Sequence, residues 1–185
     1  MIPIRALVAP AAECISMSQA RLHLRIDATG APASHPNDPE IAMMLAAARE
    51  AAEQFCSRAF VETSYQAEGR NFELPLLYPV KNIIAVKYMN SSGFLTVLDP
   101  TVYRMGYLNG YPALVLQPYR VWPATLAEDN AVQITFNAGV PPDEVPQMVK
   151  AAILLILAGL DENRSDQIPM GSRWLLAPHC LRLGV

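Results

Sequence analysis

The stretch Asp143–Arg164, DEVPQMVKAAILLILAGLDENR, decides the fold. Pro142 and Pro146 mark a helix start, because the N–H that proline lacks is not needed in a first turn. Asp143 and Glu144 place negative charge at the positive end of the helix dipole. Val149, Ala151 and Ala152 lead into the unbroken apolar run Ile153–Ala158. An amphipathic surface helix would break such a run with polar side chains, so the pattern predicts a helix over about 145–162 that is buried on most sides. The run is too short to span a bilayer, which takes about 20 apolar residues. At Asp161-Glu162-Asn163-Arg164 the sequence turns polar, and the helix is expected to emerge into water there.

A mate for this helix lies upstream. Asp38–Phe60 reads as a second long helix, over about 39–58, with Asp38 as N-cap, Pro39 at the first helical position and Glu40 in the first turn. Ile41, Leu45, Ala48, Ala52 and Phe55 recur at helical spacing, with Met44 and Cys56 beside them, and Arg49, Glu50, Glu53 and Gln54 mark the expected wet side. Small residues at Ala46–Ala48, Ala51 and Ala52 allow a second helix to approach closely, and burying one Leu or Ile there is worth about 1.5–3 kcal/mol. Met17–Arg25 fits the helix and strand templates almost equally. A cap from Ser16 or Ser18 favours helix. Asp27–Pro39 is a loop by composition.

From Phe60 to Ala138 the period switches to that of short strands. Val61–Glu68 and Ala131–Asn137 alternate well. Asn71–Leu77, Asn82–Met89, Leu95–Leu98, Val102–Met105 and Leu114–Leu116 are shorter, with turns at Asn90–Gly93 and Gly106–Pro112. The links are too short for crossovers, so about six mostly antiparallel strands are expected. The fold class is α+β: a core of long helices packed with a small antiparallel sheet region, with extended arms at both ends. The expected division is an N-terminal arm at 1–15, a main domain at 16–164 and a tail at 165–185. In the tail, Pro169 and Gly171 should break any helix. Trp174, Leu175 and Leu176 form an apolar knot, followed by Pro178, Leu181 and Leu183. So apolar a tail needs a surface to lie on, either its own domain or another subunit or partner.

A chain of 185 residues that is 52% hydrophobic and 17% charged fits one domain with a sizeable core. The 16 prolines argue for irregular connections rather than a regular bundle. A net charge of -3 is not the footprint of a protein that reads DNA sequence, though it is compatible with one that lets DNA pass. Cys14, Cys56 and Cys180 are odd in number and widely spaced, so neither a disulfide framework nor a zinc site is expected, and a reducing compartment follows. No signal peptide and no membrane segment is expected.

Chemistry is hard to find. His23, His35 and His179 have no ligand spacing, and GxSxG, GxGxxG and the phosphate-cradling GxxxxGK[ST] are absent. Asp161 and Glu162 are neighbours on a helix and so point apart, which suits a solvated helix end better than a paired acid–base device. Tyr103, Tyr107, Tyr111, Tyr119 and Trp122 lack interleaved basic residues and read as rim or interface aromatics. No catalytic, cofactor-binding or metal-binding residue is assigned and no cofactor is expected. The alternative is a small α+β enzyme or ligand-binding domain without a recognisable catalytic motif; a scaffold that holds other proteins together is a third reading.

Several pieces stand in a fixed order: Ser18–Asp27 (SQARLHLRID), the long helix closing in Cys56-Ser57-Arg58-Ala59-Phe60, Phe72-Glu73-Leu74-Pro75 with Pro79-Val80 and Ile83, Leu98-Asp99-Pro100 with Tyr103, Trp122-Pro123, Val132–Gly139, Val145-Pro146, and the exit Glu162-Asn163-Arg164. Together they resemble the head–tail connector (adaptor, or head-completion) family of tailed bacteriophages, also found in gene transfer agents. The resemblance runs from about Ser16 to Ala177, with Val140 and Leu160 standing where the family usually has an aromatic. It implies a structural, non-enzymatic virion protein, with 16–164 as the connector domain. Such a protein forms a ring of about a dozen copies under the portal, joins the DNA-filled head to the tail or stopper, and extends the DNA channel. The implied partners are sister copies, the portal protein, a stopper or tail-terminator protein, and double-stranded DNA passing without sequence-specific binding; no membrane is involved. The implied location is the head–tail interface of the virion, with assembly in the host cytoplasm. On this resemblance Trp174, Leu175, Leu176, Pro178, Leu181 and Leu183 are the candidate portal or subunit interface. Asp161, Glu162 and Asp166 are candidates to face the channel.

Overall fold

The computed structural model describes residues 4–27, 34–163 and 168–181. Arg164, Asp166, Leu183 and much of the Asp27–Pro39 loop lie outside the described residues. The class is α+β with antiparallel sheets, and the chain divides into two compact units.

The first unit comprises residues 4–11 and Glu62–Gly139. Strand β1 (Ile4–Ala6), in the expected N-terminal arm, pairs with β2 (Thr63–Gly69). With β7 (Val132–Ala138), β3 (Val80–Met89) and β4 (Leu95–Val97) they form a five-stranded sheet in the order β1-β2-β7-β3-β4, every pair antiparallel. Thr63, Tyr65 and Ala67 on β2 and Val132, Ile134, Phe136 and Ala138 on β7 point to the covered face, as strict alternation requires. Register shifts in β3 between Val80 and Asn82 and between Ile83 and Ala85 break the alternation, leaving Ile84 exposed while Val86 is buried. Asn71–Leu77 is not a strand. Phe72, Leu74 and Leu76 still point alternately inward, but Pro75 interrupts the segment, whose Leu76 N–H is donated at 2.8 Å to the Pro112 carbonyl.

Strands β5 (Tyr103–Leu108) and β6 (Tyr111–Leu116) form a separate hairpin. Its two-residue turn is Asn109-Gly110, both with positive φ, the conformation that tight hairpins favour. Leu108 and Tyr111 flank the turn, so the next pair, Tyr107 and Pro112, is one in which neither backbone N–H faces the partner strand. Proline is tolerated there, and its carbonyl is free to meet Leu76.

The second unit comprises Ala12–Val61 and residues 140–181. Helix α1 (Met17–Leu24) starts with a capping box in which the Gln19 N–H donates to the Ser16 hydroxyl and the Ser16 N–H to the Gln19 side chain. At the start of helix α2 (Asp38–Cys56) the N-cap position is Asn37, not Asp38, and the Asn37 side chain makes no capping hydrogen bond. Asp38 instead receives two bonds from Arg21, at 2.7 and 2.9 Å, and one from the His35 N–H at 2.9 Å. Helix α3 (Gln147–Asn163) begins after Asp143 and Glu144, which sit in the preceding turn rather than in the helix. Cys14, Ile15, Ile41, Leu45, Ala48, Ala52, Val149, Ala152, Ile153, Ile156 and Leu157 belong to one core.

Three expectations are corrected here. Burial on α3 is confined to the stripe Val149, Ala152, Ile153, Ile156 and Leu157, spaced as one helix face, while Met148, Ala151 and Leu155 look outward. Phe55 is exposed and Arg49 buried, the reverse of the expected sides. The tail does contain a helix, α4 (Met170–Leu176), followed by a 3-10 turn at Ala177–His179. Pro169 precedes its first turn and so cannot break it.

Candidate functional site

Helix α4 is fixed from several directions within its unit. Leu176 is 0% exposed and belongs to the core, and Ser172 is buried beside it in the helix. Gly159 on α3 leaves room for Pro169: a Cβ there would lie 3.3 Å from the proline ring. Arg173 donates through Nε to the Ile168 carbonyl at 3.0 Å. Beyond the helix, Cys180 is joined to Cys56 by a disulfide, where the cysteine number and spacing suggested no disulfide framework. Sequence spacing could not show this pair, because 124 residues separate its members. Alongside it, the Leu181 N–H donates to the Cys56 carbonyl at 3.1 Å and Arg58 Nη1 to the His179 carbonyl at 3.0 Å.

So anchored, α4 turns its other face to solvent. Trp174 is 74% exposed, and Met170, one helical turn before it, is exposed as well. Gly171 lies beside Leu155, since a Cβ on it would meet Leu155 Cδ1 at 3.6 Å. The outward stripe of α3, Met148, Ala151 and Leu155, thus approaches α4 at Leu155. Of the other tail candidates, Pro178 is exposed, Leu175 and Leu181 are half-buried, and Leu183 lies outside the described residues. Sequence reasoning singled out Trp174 but missed Met148, Leu155 and Met170. The same hydrophobic run that predicts a buried helix also supplies its outer stripe.

Asp161 and Glu162 are exposed in the last turn of α3; Asp166, the third channel candidate, lies outside the described residues. The buried charges of this unit serve the fold. Arg49 is 4% exposed, with Glu13 at 3.0 Å and Glu53 at 2.6 Å. Burial alone would lower the Arg49 pKa, but Glu53 and Glu13 overcome it and keep the guanidinium charged. Burial pushes the Glu53 carboxyl up against the pull of Arg49 and of the Phe60 and Val61 N–H groups, which donate to it at 2.7 and 3.2 Å.

In the first unit, Trp122 stacks on Phe72 with centroids 4.6 Å apart, so it is a packing aromatic. Tyr107 and Tyr119 are exposed, as are Phe94, Leu95 and Val97 around β4. Among the described residues, no group of three or more His, Cys, Asp or Glu could hold a metal ion, and no helix is long and apolar enough to cross a membrane.

No model of a known protein family matches the chain, and no curated protein does. Solved structures do. A chain in the neck of an empty gene transfer agent particle, computed with C6 symmetry, has a TM-score of 0.78 at 19% identity, covering 97% of this chain and 96% of that one. A chain of the virion of a native gene transfer agent particle gives 0.74 at 20% identity with the same coverage. A chain in the neck of a native particle, computed with C12 symmetry, gives 0.73 at 19% identity. The protein therefore has the fold of gene transfer agent neck and virion chains over almost its whole length. At the level of fold, this bears out the head–tail connector resemblance of the sequence.

Proposed function

We propose that the protein is a structural, non-enzymatic component of a phage-like or gene transfer agent particle. Copies of it form a ring in the neck, below the portal, that joins the DNA-filled head to the tail or stopper and extends the DNA channel. One observation supports this reading: the fold shared with gene transfer agent neck and virion chains covers 97% of this chain and 96% of theirs. The C6 and C12 symmetries of the counterpart necks support assembly as a ring, with twelve copies the natural number. The slightly acidic chain supports passage of DNA rather than a grip on it, since phosphate neutralisation needs Lys and Arg.

On this reading 16–164 is the connector domain and 165–185 the docking tail, while the N-terminal arm at 1–15 is held by its own chain, Ile4–Ala6 by β2 and Cys14 and Ile15 in the core. The surface offered to the portal or a sister copy is the exposed face of α4, Trp174 and Met170, with Leu155 next to Gly171 and with Pro178 and Leu181 following. Leu176 seats α4, and Leu175 packs partly beside it. Asp161 and Glu162 face the channel, where like charge keeps DNA from sticking. Assembly takes place in the host cytoplasm, and the finished protein resides in the virion.

Deleting the whole tail would also remove Leu176 from the core, so a surface substitution is the cleaner test. Trp174→Asp should leave the urea midpoint almost unchanged, within about 0.5 kcal/mol of stability, and abolish attachment to portal in a pull-down. Wild-type attachment by a folded Trp174→Asp protein would remove this surface from the account.

A further inference from the structure

We propose that Cys56 and Cys180 form a redox latch: their disulfide clamps residues 177–181 onto the end of α2, and a dithiol reductant opens it. The two sulfurs differ in access. Cys56, the last residue of α2, is 1% exposed, whereas Cys180 is half-buried after the 3-10 turn. An incoming thiolate therefore reaches Cys180 Sγ first. Its attack forms a mixed disulfide and breaks the bond to Cys56, whose sulfur leaves with the electron pair and takes a proton from water. The second thiol of the reductant then attacks the mixed disulfide. Cys180 is released as a thiol and the reductant's own disulfide closes, so two electrons and two protons pass to the protein.

The reduced state is provided for. The Leu176 carbonyl oxygen lies 3.7 Å from Cys56 Sγ and 3.3 Å from Cys180 Sγ, an acceptor in place for either thiol. The loss of the covalent bond leaves residues 177–181 on the weaker seam of the Leu181–Cys56 and Arg58–His179 hydrogen bonds. Helix α4 itself stays seated, because Leu176 keeps its place in the core. The third cysteine does not compete. Cys14 is buried, and burial pushes its thiol up to about 11, so it remains protonated and unreactive. A pair so arranged responds to passage from a reducing cell interior to an oxidising exterior.

The test uses the full chain, held in oxidised glutathione or in dithiothreitol, alkylated after denaturation and weighed intact, with amide exchange followed in parallel. Oxidised protein should carry one alkyl group, on Cys14, and reduced protein three. Exchange at 177–181 should rise about tenfold on reduction, with 170–176 unchanged. Cys180→Ser, at the less buried position, should exchange like the reduced protein in both media. Three alkyl groups after oxidised glutathione, or exchange at 177–181 that neither reduction nor Cys180→Ser alters, would overturn the latch.

Discussion

Arg49 shows how a single side chain can contradict its own pattern. On a helical wheel it belongs with Glu50 and Gln54, yet it is turned inward to Glu13 and Glu53. A charged residue signals water in a sequence only when no partner waits inside, and the partner Glu13 stands 36 residues earlier. Removing the cation leaves two carboxylates facing each other with little water, so Arg49→Ala should cost about 3–5 kcal/mol, read from urea unfolding. Asp38 makes a pH-dependent contribution. Hydrogen bonds from Arg21, then from the His35 N–H, hold its carboxyl below the ordinary 3.8, so the folded chain binds this proton less tightly than the unfolded one. Its contribution is complete above 3.8 and is lost as the pH falls through the lower folded value. Asp38→Asn should flatten that acid limb in urea midpoints followed from neutral pH downwards, and should lower the midpoint at neutral pH.

Among the elements, the two long helices and the strands β2 and β7 were legible; β1, α4 and the loop at Asn71–Leu77 were not, and element ends were read less well than their centres. Both α1 and α2 were expected where they lie, but α2 stops at Cys56 rather than at about 58. The residue that ends it, Ser57, adopts a left-handed conformation with φ of 51°, and Arg25 does the same after α1. The Arg58 N–H donates to the Glu53 carbonyl and the Ser57 N–H to that of Gln54, a closing pattern that usually announces itself by glycine. With no glycine there, nothing in the sequence marked the stop. The β5–β6 hairpin teaches the converse. Asn109-Gly110 is a strong turn signal, but Gly106 and Pro112 made the whole link look like loop, so both strands were read too short. Gly110 has φ of 83° with open space around it, so Gly110→Ala strains only the backbone. It should cost about 1–2 kcal/mol and speed amide exchange across β5 and β6 with little change elsewhere.

For the molecule as a whole, the ordered set of weak motifs carried the fold, and the match to gene transfer agent chains over 97% of the length agrees with it. The candidate surface was only half legible. Trp174 stood out because a tail must lie on something; Met148 and Leu155 did not, because an apolar side chain does not tell whether its cover is the same chain or another. The central claim is a passive, shape-based role in a particle neck. Negative-stain imaging of the purified chain mixed with the portal protein of the same particle tests it most directly. A coaxial ring seated on the portal is the predicted result. Bare portals with the chain left as discrete monomers would contradict it.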